Sequence, residues 1–245
     1  MSQTYSTSHY AHIDRVEREH FWFVGRNELI MSLVARFIPH PQKKTFLDIG
    51  CGTGVMVKLL GEQGFRTTGL DVNDRALMYA KHHASSAFVR SSIFSYMSRV
   101  HFDAAGAFDV MEHVSDDVGF IKKCNSLIAP NGYLFLTVPQ GMHLWSSVDI
   151  VSGHKRRYSK QSMNALLKNS GFRIVHMGYW NSLLLPFYSI WRYIVGTKQK
   201  DLVQNYLVMP NKWINKLLLL ILKLEFVMGN KFPFGATLVV VAQKI

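Results

Sequence analysis

The sequence contains few cysteines and no long uninterrupted apolar run. Two cysteines among 245 residues, Cys51 and Cys124, are too few for the disulfide framework of a small secreted protein and fit a reducing cytosol. The first 20 residues are polar and charged and lack the apolar core of a secretory signal. Charged residues interrupt both of the most apolar segments, 183–195 and 213–228, so neither is expected to span a bilayer. These absences predict a cytoplasmic protein, and peripheral contact with the inner face of a membrane is left open.

Acidic residues are also scarce. The chain has 16 Asp and Glu against 28 Lys and Arg, which gives a net charge of +12. Such an excess attracts anionic partners, which include phosphate-bearing metabolites, nucleic acid and anionic membranes, and charge alone does not choose among them. With 48% hydrophobic and 18% charged residues, the composition is that of a globular protein.

Strand and helix patterns alternate between residues 45 and 139. Short apolar segments predict strands at 45–49, 66–70, 87–90, 101–108 and 133–138, and helices at 53–61, 73–83 and 116–128. A turn is expected at Pro130-Asn131-Gly132. This alternation is typical of a parallel sheet with helices on both faces.

Beyond residue 139 the pattern predicts a loop over 141–158, a helix over 159–169 and strands over 172–179 and 236–242. More than fifty residues separate the last two strands, which is too long for a simple connection. We therefore expect a single domain over 1–245. Its parts are an N-terminal helical cap (1–44), a cofactor-binding core (45–180), a helical insertion (181–235) and a last strand (236–245).

Three glycines at alternate positions follow the first predicted strand. Asp48 precedes Gly50, Gly52 and Gly54. Glycine permits a tight turn and close approach of a ligand, and the next helix offers free N–H groups. A dinucleotide-binding turn needs glycine at position 55 or 57, where valine stands. The Asp48 carboxylate repels a pyrophosphate and favours an ammonium group. A purely structural turn is the alternative interpretation.

A second carboxylate, Asp71, ends the second predicted strand about 20 residues further along the chain, where it can accept both hydroxyl groups of a ribose. Helix capping is the other interpretation of Asp71. Asn73 and Asp74 are better placed for that role.

Together these segments resemble the class I S-adenosylmethionine-dependent methyltransferases. The resemblance covers about residues 45–180 and includes 102–114, which is similar to the family's fourth-strand motif, and 127–138, which is similar to its helix, turn and fifth strand. It implies an α/β, Rossmann-like enzyme with a mostly parallel seven-stranded sheet. An N-terminal helical cap and a helical insertion between strands six and seven complete the expected fold. The implied cofactor is S-adenosylmethionine, and no metal is expected.

The resemblance also implies which residues contact the cofactor. The glycine turn wraps the methionine part, Asp71 holds the ribose, and Ser92 and Ile93 contact the adenine where the family usually has an acid. Asp109 borders the cofactor, followed by residues that line or support the methyl-transfer cleft. The predicted cofactor-binding set is Asp48, Gly50, Cys51, Gly52, Thr53, Gly54, Asp71, Val72, Ser92, Ile93, Asp109, Val110 and Met111.

Three segments are expected to shape the acceptor site, and the third is the helical insertion over 181–235. Trp22 and Arg26 either face the ligand from the helical cap or pack as a hydrophobic staple onto the sheet. After strand five, the predicted substrate-binding residues are Arg156, Arg157 and Tyr158, because arginine binds phosphate or carboxylate in a bidentate manner. A solvated basic loop that ends in a packed tyrosine is the alternative.

His113 and His154 are equal candidates for the general base, since imidazole titrates near neutral pH. Packing within the fold is the alternative role for either ring. The helical insertion carries basic residues among tryptophans and leucines, which suits either an anionic lipid surface or a buried helix pair or dimer face.

Enzymes that methylate base amino groups typically carry Asn/Asp-Pro-Pro-aromatic where this chain has Asp109-Val-Met-Glu112, which disfavours nucleic acid as the partner. We expect methyl transfer to a hydroxyl of a small anionic or lipid-linked acceptor, such as a sugar or a quinone intermediate. RNA or protein methylation and a non-catalytic cofactor-binding module are the alternatives.

Overall fold

A seven-stranded sheet forms the centre of the computed structural model, which describes residues 7–187, 189–190, 208–228 and 232–245, with side chains from residue 11 onward. The strands are β1 (Thr45–Ile49), β2 (Arg66–Asp71), β3 (Ala87–Arg90), β4 (Phe102–Phe108), β5 (Ile128–Pro139), β6 (Phe172–Trp180) and β7 (Thr237–Lys244). Their order in the sheet is β3-β2-β1-β4-β5-β7-β6.

The first five strands are parallel, and β7 runs antiparallel between β5 and β6. The strand order therefore reverses between β1 and β4, and both strands end at the same edge of the sheet. In sheets of this kind, ligands bind beyond the carboxyl ends of the strands at such a reversal. This confirms the fold expected from the sequence.

Helices cover both faces of the sheet. They are α1 (Thr7–Glu19), α2 (Phe21–Phe37), α3 (Val55–Glu62), α4 (Asp74–His83), α5 (Asp117–Leu127), α6 (Ser147–Val151), α7 (Lys160–Lys168) and α8 (Lys212–Val227). Helices α2, α3 and α8 pack on one face, and α5 and α7 pack on the other.

Alternation along β1 explains the two cores. Phe46 packs against the residues of α2 and α3, whereas Leu47 and Ile49 point to the opposite face and pack against α5. Successive side chains of a strand point to opposite faces, so this one short strand contributes apolar side chains to the cores on both faces of the sheet. Both faces of β1 are therefore buried.

Side-chain caps set several helix starts. The Asn73 side chain accepts hydrogen bonds from the backbone N–H groups of Arg75 and Ala76 at 3.0 and 3.3 Å, as a helix N-cap does. The structure thus leaves the Asp71 carboxylate free of the capping role. Ser159 caps α7 in the same way, through the N–H of Ser162 at 3.0 Å.

The structure corrects several local predictions. Strand β5 begins at Ile128, before the expected turn at 130–132, because Ile128 pairs with Phe102 of β4. Asn131 of that turn adopts φ +63°, and the pairing with β4 resumes at Tyr133. The expected loop over 141–158 contains a 3-10 turn (Met142–Leu144) and α6. The aromatic segment at 21–26 belongs to α2 itself.

Helix α8 is the longest described element of the predicted insertion, and much of the apolar segment 183–195 lies outside the described residues. A Cβ added to Gly25 of α2 would lie 3.0 Å from Leu222 of α8, so the two helices are in close contact. Within the described ranges, each helix is too short or too polar to cross a membrane.

Leu60 and Leu217 form a matched pair for testing the burial pattern. Leu60 is fully buried on α3, whereas Leu217 on α8 is 58% exposed. We expect Leu60→Ala to lower the free energy of unfolding by about 2–5 kcal/mol, because it leaves a cavity. Leu217→Ala is expected to change it by less than about 0.5 kcal/mol. Urea unfolding followed by circular dichroism measures both, and equal losses would contradict the assigned packing.

Candidate functional site

The turn between β1 and α3 is shaped by glycine. Gly50, Gly52 and Gly54 have φ values of +73°, +53° and +83°, a region that residues with a side chain rarely adopt. A Cβ at Gly54 would lie 2.8 Å from the Cβ of Ala80, so a side chain there would push α4 away. The turn therefore brings bare backbone to the carboxyl edge of the sheet, as the sequence predicts.

Two carboxylates lie beside this turn. Asp71 accepts hydrogen bonds from the N–H groups of Gly52 at 3.0 Å and Asn73 at 2.8 Å, and burial raises its pKa. Asp48 is 2% exposed, and burial raises its pKa to about 7 although the positive charge of Arg26 opposes the rise. Asp48 is thus a carboxyl group that titrates near neutral pH.

The N-terminal helices close over the same turn. Glu17 of α1 accepts a hydrogen bond from the Thr53 hydroxyl, and burial raises the pKa of Glu17. A Cβ at Gly52 would lie 3.1 Å from the Glu17 carboxylate. A third acid therefore covers the glycine turn from the cap.

Arg26 of α2 spans the cleft and forms an ion pair with Asp109, with 2.6 Å between Nη1 and Oδ2. Its guanidinium also donates to the side chain of Asn27 at 3.2 and 3.0 Å and lies 5.2 Å from the ring centres of both Trp22 and Phe23. Asp109 itself adopts φ +58°, which is uncommon for a residue other than glycine and is typical of functional sites.

A cavity of about 860 Å³ extends from the glycine turn between α2 and the loop after β5. This is within the size range of small-molecule sites. Its wall contains these predicted site residues: Asp48, Gly50, Cys51, Gly52, Asp109, His113, His154, Trp22, Arg26 and Arg157. Toward α8, the wall becomes apolar and includes Leu184, Phe187, Val208 and Leu218.

Two imidazoles meet at the end of the cavity. The ring centres of His113 and His154 are 4.9 Å apart. Burial, and then the charge of His154, lower the pKa of His113. His154 Nδ1 lies 2.9 Å from Oδ1 of Asp149, and Arg157 forms an ion pair with the same oxygen at 2.7 Å. Asp149 therefore holds both residues in place.

Glu112 stands beside these imidazoles. It is 1% exposed, and its Oε2 atom has no hydrogen-bond partner. Burial and the neighbouring charge of Asp109 raise the pKa of Glu112 well above its usual range. The backbone N–H of Lys155 donates to the Glu112 carbonyl at 2.7 Å, which ties the loop after β5 to the turn after β4.

Other predicted site residues lie outside the cavity wall. Arg156 forms an ion pair with Asp117 at 2.7 Å, and the Tyr158 side chain is buried with its hydroxyl 3.2 Å from that carboxylate. The remaining positions that do not line the cavity are Thr53, Gly54, Asp71, Val72, Ser92, Ile93, Val110 and Met111. Of these, Val72 is 64% exposed, and Ile93 and Met111 belong to the core.

Sequence reasoning did not single out Glu17 or Asp149. Glu17 lies in a polar helix far along the chain from the residues that it contacts, and no motif marks it. A signal existed for Asp149, because Ser146 and Asp149 have the spacing of a helix capping box, and that box is present.

Comparison with known proteins identifies the family of the chain. The family model described as methyltransferase domain matches residues 22–177. A ubiquinone biosynthesis O-methyltransferase of Nitrosospira multiformis is 32% identical over 101 residues, which are 38% of this chain and 42% of that protein. The alignment thus spans less than half the length of this curated relative.

Two solved structures share the fold. The magnesium protoporphyrin IX methyltransferase of Synechocystis with bound S-adenosylhomocysteine has a TM-score of 0.63 and 13% identity, over 97% of this chain and 94% of that one. The phosphoethanolamine N-methyltransferase 2 of Haemonchus contortus with bound S-adenosylmethionine has a TM-score of 0.65 and 16% identity. The match covers 99% of this chain and 58% of that one. The family match covers more than half of the chain, so the chain belongs to the methyltransferase domain family, and it shares the fold of methyltransferases solved with S-adenosylmethionine or S-adenosylhomocysteine.

Proposed function

We propose that the protein transfers the methyl group to a hydroxyl of a small lipid-linked or anionic acceptor. The observation that carries this proposal is the imidazole pair His113 and His154 at the end of the cavity. A hydroxyl loses its proton when it becomes a methyl ether, and imidazole is suited to remove it near neutral pH. The relative from N. multiformis is named as an O-methyltransferase, which supports oxygen as the acceptor atom.

The glycine turn fits the amino-acid end of the cofactor. A Cβ at Gly52 would lie only 3.1 Å from the Glu17 carboxylate, so the backbone of the turn lies directly beneath this acid. We assign the cofactor's ammonium group to Asp48 and Glu17, because opposite charges attract strongly where water is excluded. The Asp71 carboxylate accepts hydrogen bonds from the backbone of Gly52, Asn73 and Val72, and its two oxygens can accept further hydrogen bonds, which suits a ribose hydroxyl.

S-adenosylmethionine supplies a methyl group bonded to a positively charged sulfur. The acceptor oxygen bonds to the methyl carbon while the carbon–sulfur bond breaks, and the electron pair of that bond neutralises the sulfur. His113 or His154 accepts the hydroxyl proton. Asp149 orients the His154 ring, and burial keeps His113 in its neutral, proton-accepting form.

The apolar part of the cavity wall supports a lipid-linked acceptor. It leads from the imidazole pair toward α8, whose outer face we call the apolar stripe. The stripe contains Trp213, Leu217, Leu220, Leu224 and Val227, all between 51% and 81% exposed. Lys212 and Lys216 flank it and are exposed, with the Lys216 ammonium 5.6 Å from the Trp213 ring centre. An apolar face flanked by lysines suits the surface of an anionic bilayer.

The pKa of Asp48 predicts how cofactor affinity depends on pH. An acid with a pKa of about 7 is protonated below that pH, and only the carboxylate attracts an ammonium group. Affinity for S-adenosylmethionine should therefore rise about tenfold between pH 6 and pH 8 and level off above it. Calorimetry measures this, with Asp48→Asn as the variant in which the dependence disappears. The same pH dependence in that variant would overturn the assignment.

Single substitutions test the role of each of the two imidazoles. We expect His113→Ala or His154→Ala to lower the rate about 10²–10⁴-fold while affinity for S-adenosylhomocysteine is unchanged. The assay measures methyl transfer to a prenylated dihydroxybenzene and, in parallel, to lipid and aqueous cell extracts. His82→Ala, on an exposed position of α4, is the matched control. Normal rates in both site variants, or methylation confined to amino groups, would refute the proposal.

Vesicle binding tests the apolar stripe. Reversing Lys212 and Lys216 to Glu should weaken binding to phosphatidylglycerol vesicles at least about 30-fold, because each lysine near an anionic surface contributes about 1 kcal/mol. The control reverses Lys122 and Lys123 of α5, which packs on the opposite face of the sheet. Lys223 is left unchanged because it pairs with Glu28 at 2.8 Å. Equal weakening in both double variants would exclude docking through α8.

A further inference from the structure

We propose that the Asn181 side chain recognises a hydroxyl or amide group of the methyl acceptor, at a point remote from the oxygen that is methylated. Asn181 follows the last residue of β6 and lines the cavity. It is 4% exposed, and its Oδ1 atom has no hydrogen-bond partner among the described residues. A buried polar atom is costly to leave unpaired, so a ligand that pairs with it gains affinity. This inference rests on the proposed function, whose acceptor occupies the same cavity.

The backbone of Asn181 has φ +60°, in the left-handed region that asparagine tolerates better than most residues. Four residues other than glycine have a positive φ in the part of the chain that the structure describes. Two of them, Asp109 and Asn181, line the cavity. Such conformations cluster at functional sites, where a side chain has to be held in one direction.

Buried contacts hold the backbone of Asn181 in place. Glu225 of α8 is fully buried, and its carboxylate accepts hydrogen bonds from the N–H groups of Ser182 at 2.8 Å and Leu183 at 3.2 Å, and also from that of Asn181. The Asn181 carbonyl accepts a hydrogen bond from the N–H of Ala236 at 3.4 Å. Both backbone groups of Asn181 are thus engaged within the protein, and the side chain is the part left for a ligand.

The position of Asn181 in the sheet separates it from the proposed base. Strand β6 lies three positions from β4 in the order β4-β5-β7-β6. Neighbouring strands are about 4.8 Å apart, so the ends of β4 and β6 are roughly 14 Å apart. His113 follows β4, whereas β1 and β2, where the cofactor is proposed to bind, lie on the other side of β4. Asn181 is therefore placed to contact a part of the acceptor far from the methylated oxygen.

The surroundings of Asn181 make its amide selective. Leu184, Phe187 and Leu218 line the same cavity, and Glu225 ties the Asn181 loop to α8. A polar group in apolar surroundings discriminates between ligands that can and cannot pair with it. The amide offers one hydrogen-bond acceptor and two donors, which fits a hydroxyl or an amide group. The predicted class of acceptor is thus a molecule whose apolar chain carries such a group.

Paired acceptors test this assignment. Dihydroxybenzenes with alkyl chains of graded length are prepared in two forms, one with a terminal hydroxyl and one with a terminal methyl group. At one chain length, we expect the full chain to prefer the hydroxyl form by about tenfold in kcat/KM. The preference should disappear in Asn181→Gly, which retains the left-handed backbone. It should persist in Asn181→Asp, which retains an oxygen that accepts hydrogen bonds.

The matched control is Asn131→Gly. Asn131 is exposed and has φ +63°, but it lies near the amino end of β5 and not in the cavity wall. Affinity for S-adenosylhomocysteine is measured in every variant and should be unchanged, which distinguishes a role in recognition from a loss of structure. The assignment is overturned by equal preference in the unsubstituted protein and Asn181→Gly, by an equal loss in Asn131→Gly, or by no preference at any chain length.

Binding without turnover separates this inference from the proposed function. Calorimetry measures the affinity of the hydroxyl and methyl forms for the protein saturated with S-adenosylhomocysteine, with and without Asn181→Gly. Tighter binding of the hydroxyl form that depends on Asn181 supports the recognition role even if no hydroxyl is methylated, and absence of methylation then refutes the proposed function alone. Equal binding of the two forms, or binding of neither, refutes the recognition role whatever the rate of methylation.

Discussion

The ion pair between Arg26 and Asp109 connects the N-terminal cap to the end of β4, and much of the site depends on it. Asp109 is held in an uncommon backbone conformation at this point. The same guanidinium opposes the rise in the pKa values of Asp48 and Glu112. One buried positive charge thus stabilises several carboxylates around one cavity.

Local sequence signals were sufficient for most of the sheet and for the glycine turn. Strand β3 has the predicted bounds, and α4 begins after its expected cap at Asn73. Both were predictable because hydrophobic periodicity and helix caps depend on residues that are close together in the sequence. At 130–132 the residues typical of a turn leave the ladder, with Asn131 in a left-handed conformation, as the sequence predicts. The start of β5 at Ile128 was not predicted, because it depends on pairing with the distant Phe102 of β4.

The candidate site was less accessible to sequence reasoning, because its contacts join distant parts of the chain. Arg156 and Arg157 are neighbours with the same chemistry, yet one pairs with Asp117 away from the cavity and the other lines it. Only the course of the loop distinguishes them. Glu17 reaches the glycine turn through the docking of α1, and such docking leaves no periodic signal.

The position of Glu17 links the cap to cofactor exchange. Glu17 binds Thr53 over the glycine turn, and Asp14 of the same helix holds His83 of α4 at 2.8 Å, so α1 covers the turn through polar contacts. If the cofactor binds as proposed, S-adenosylhomocysteine would leave only when these contacts part, and segments with few buried apolar residues open most readily. Because ion pairs are screened by salt, the opening of α1 would then depend on ionic strength.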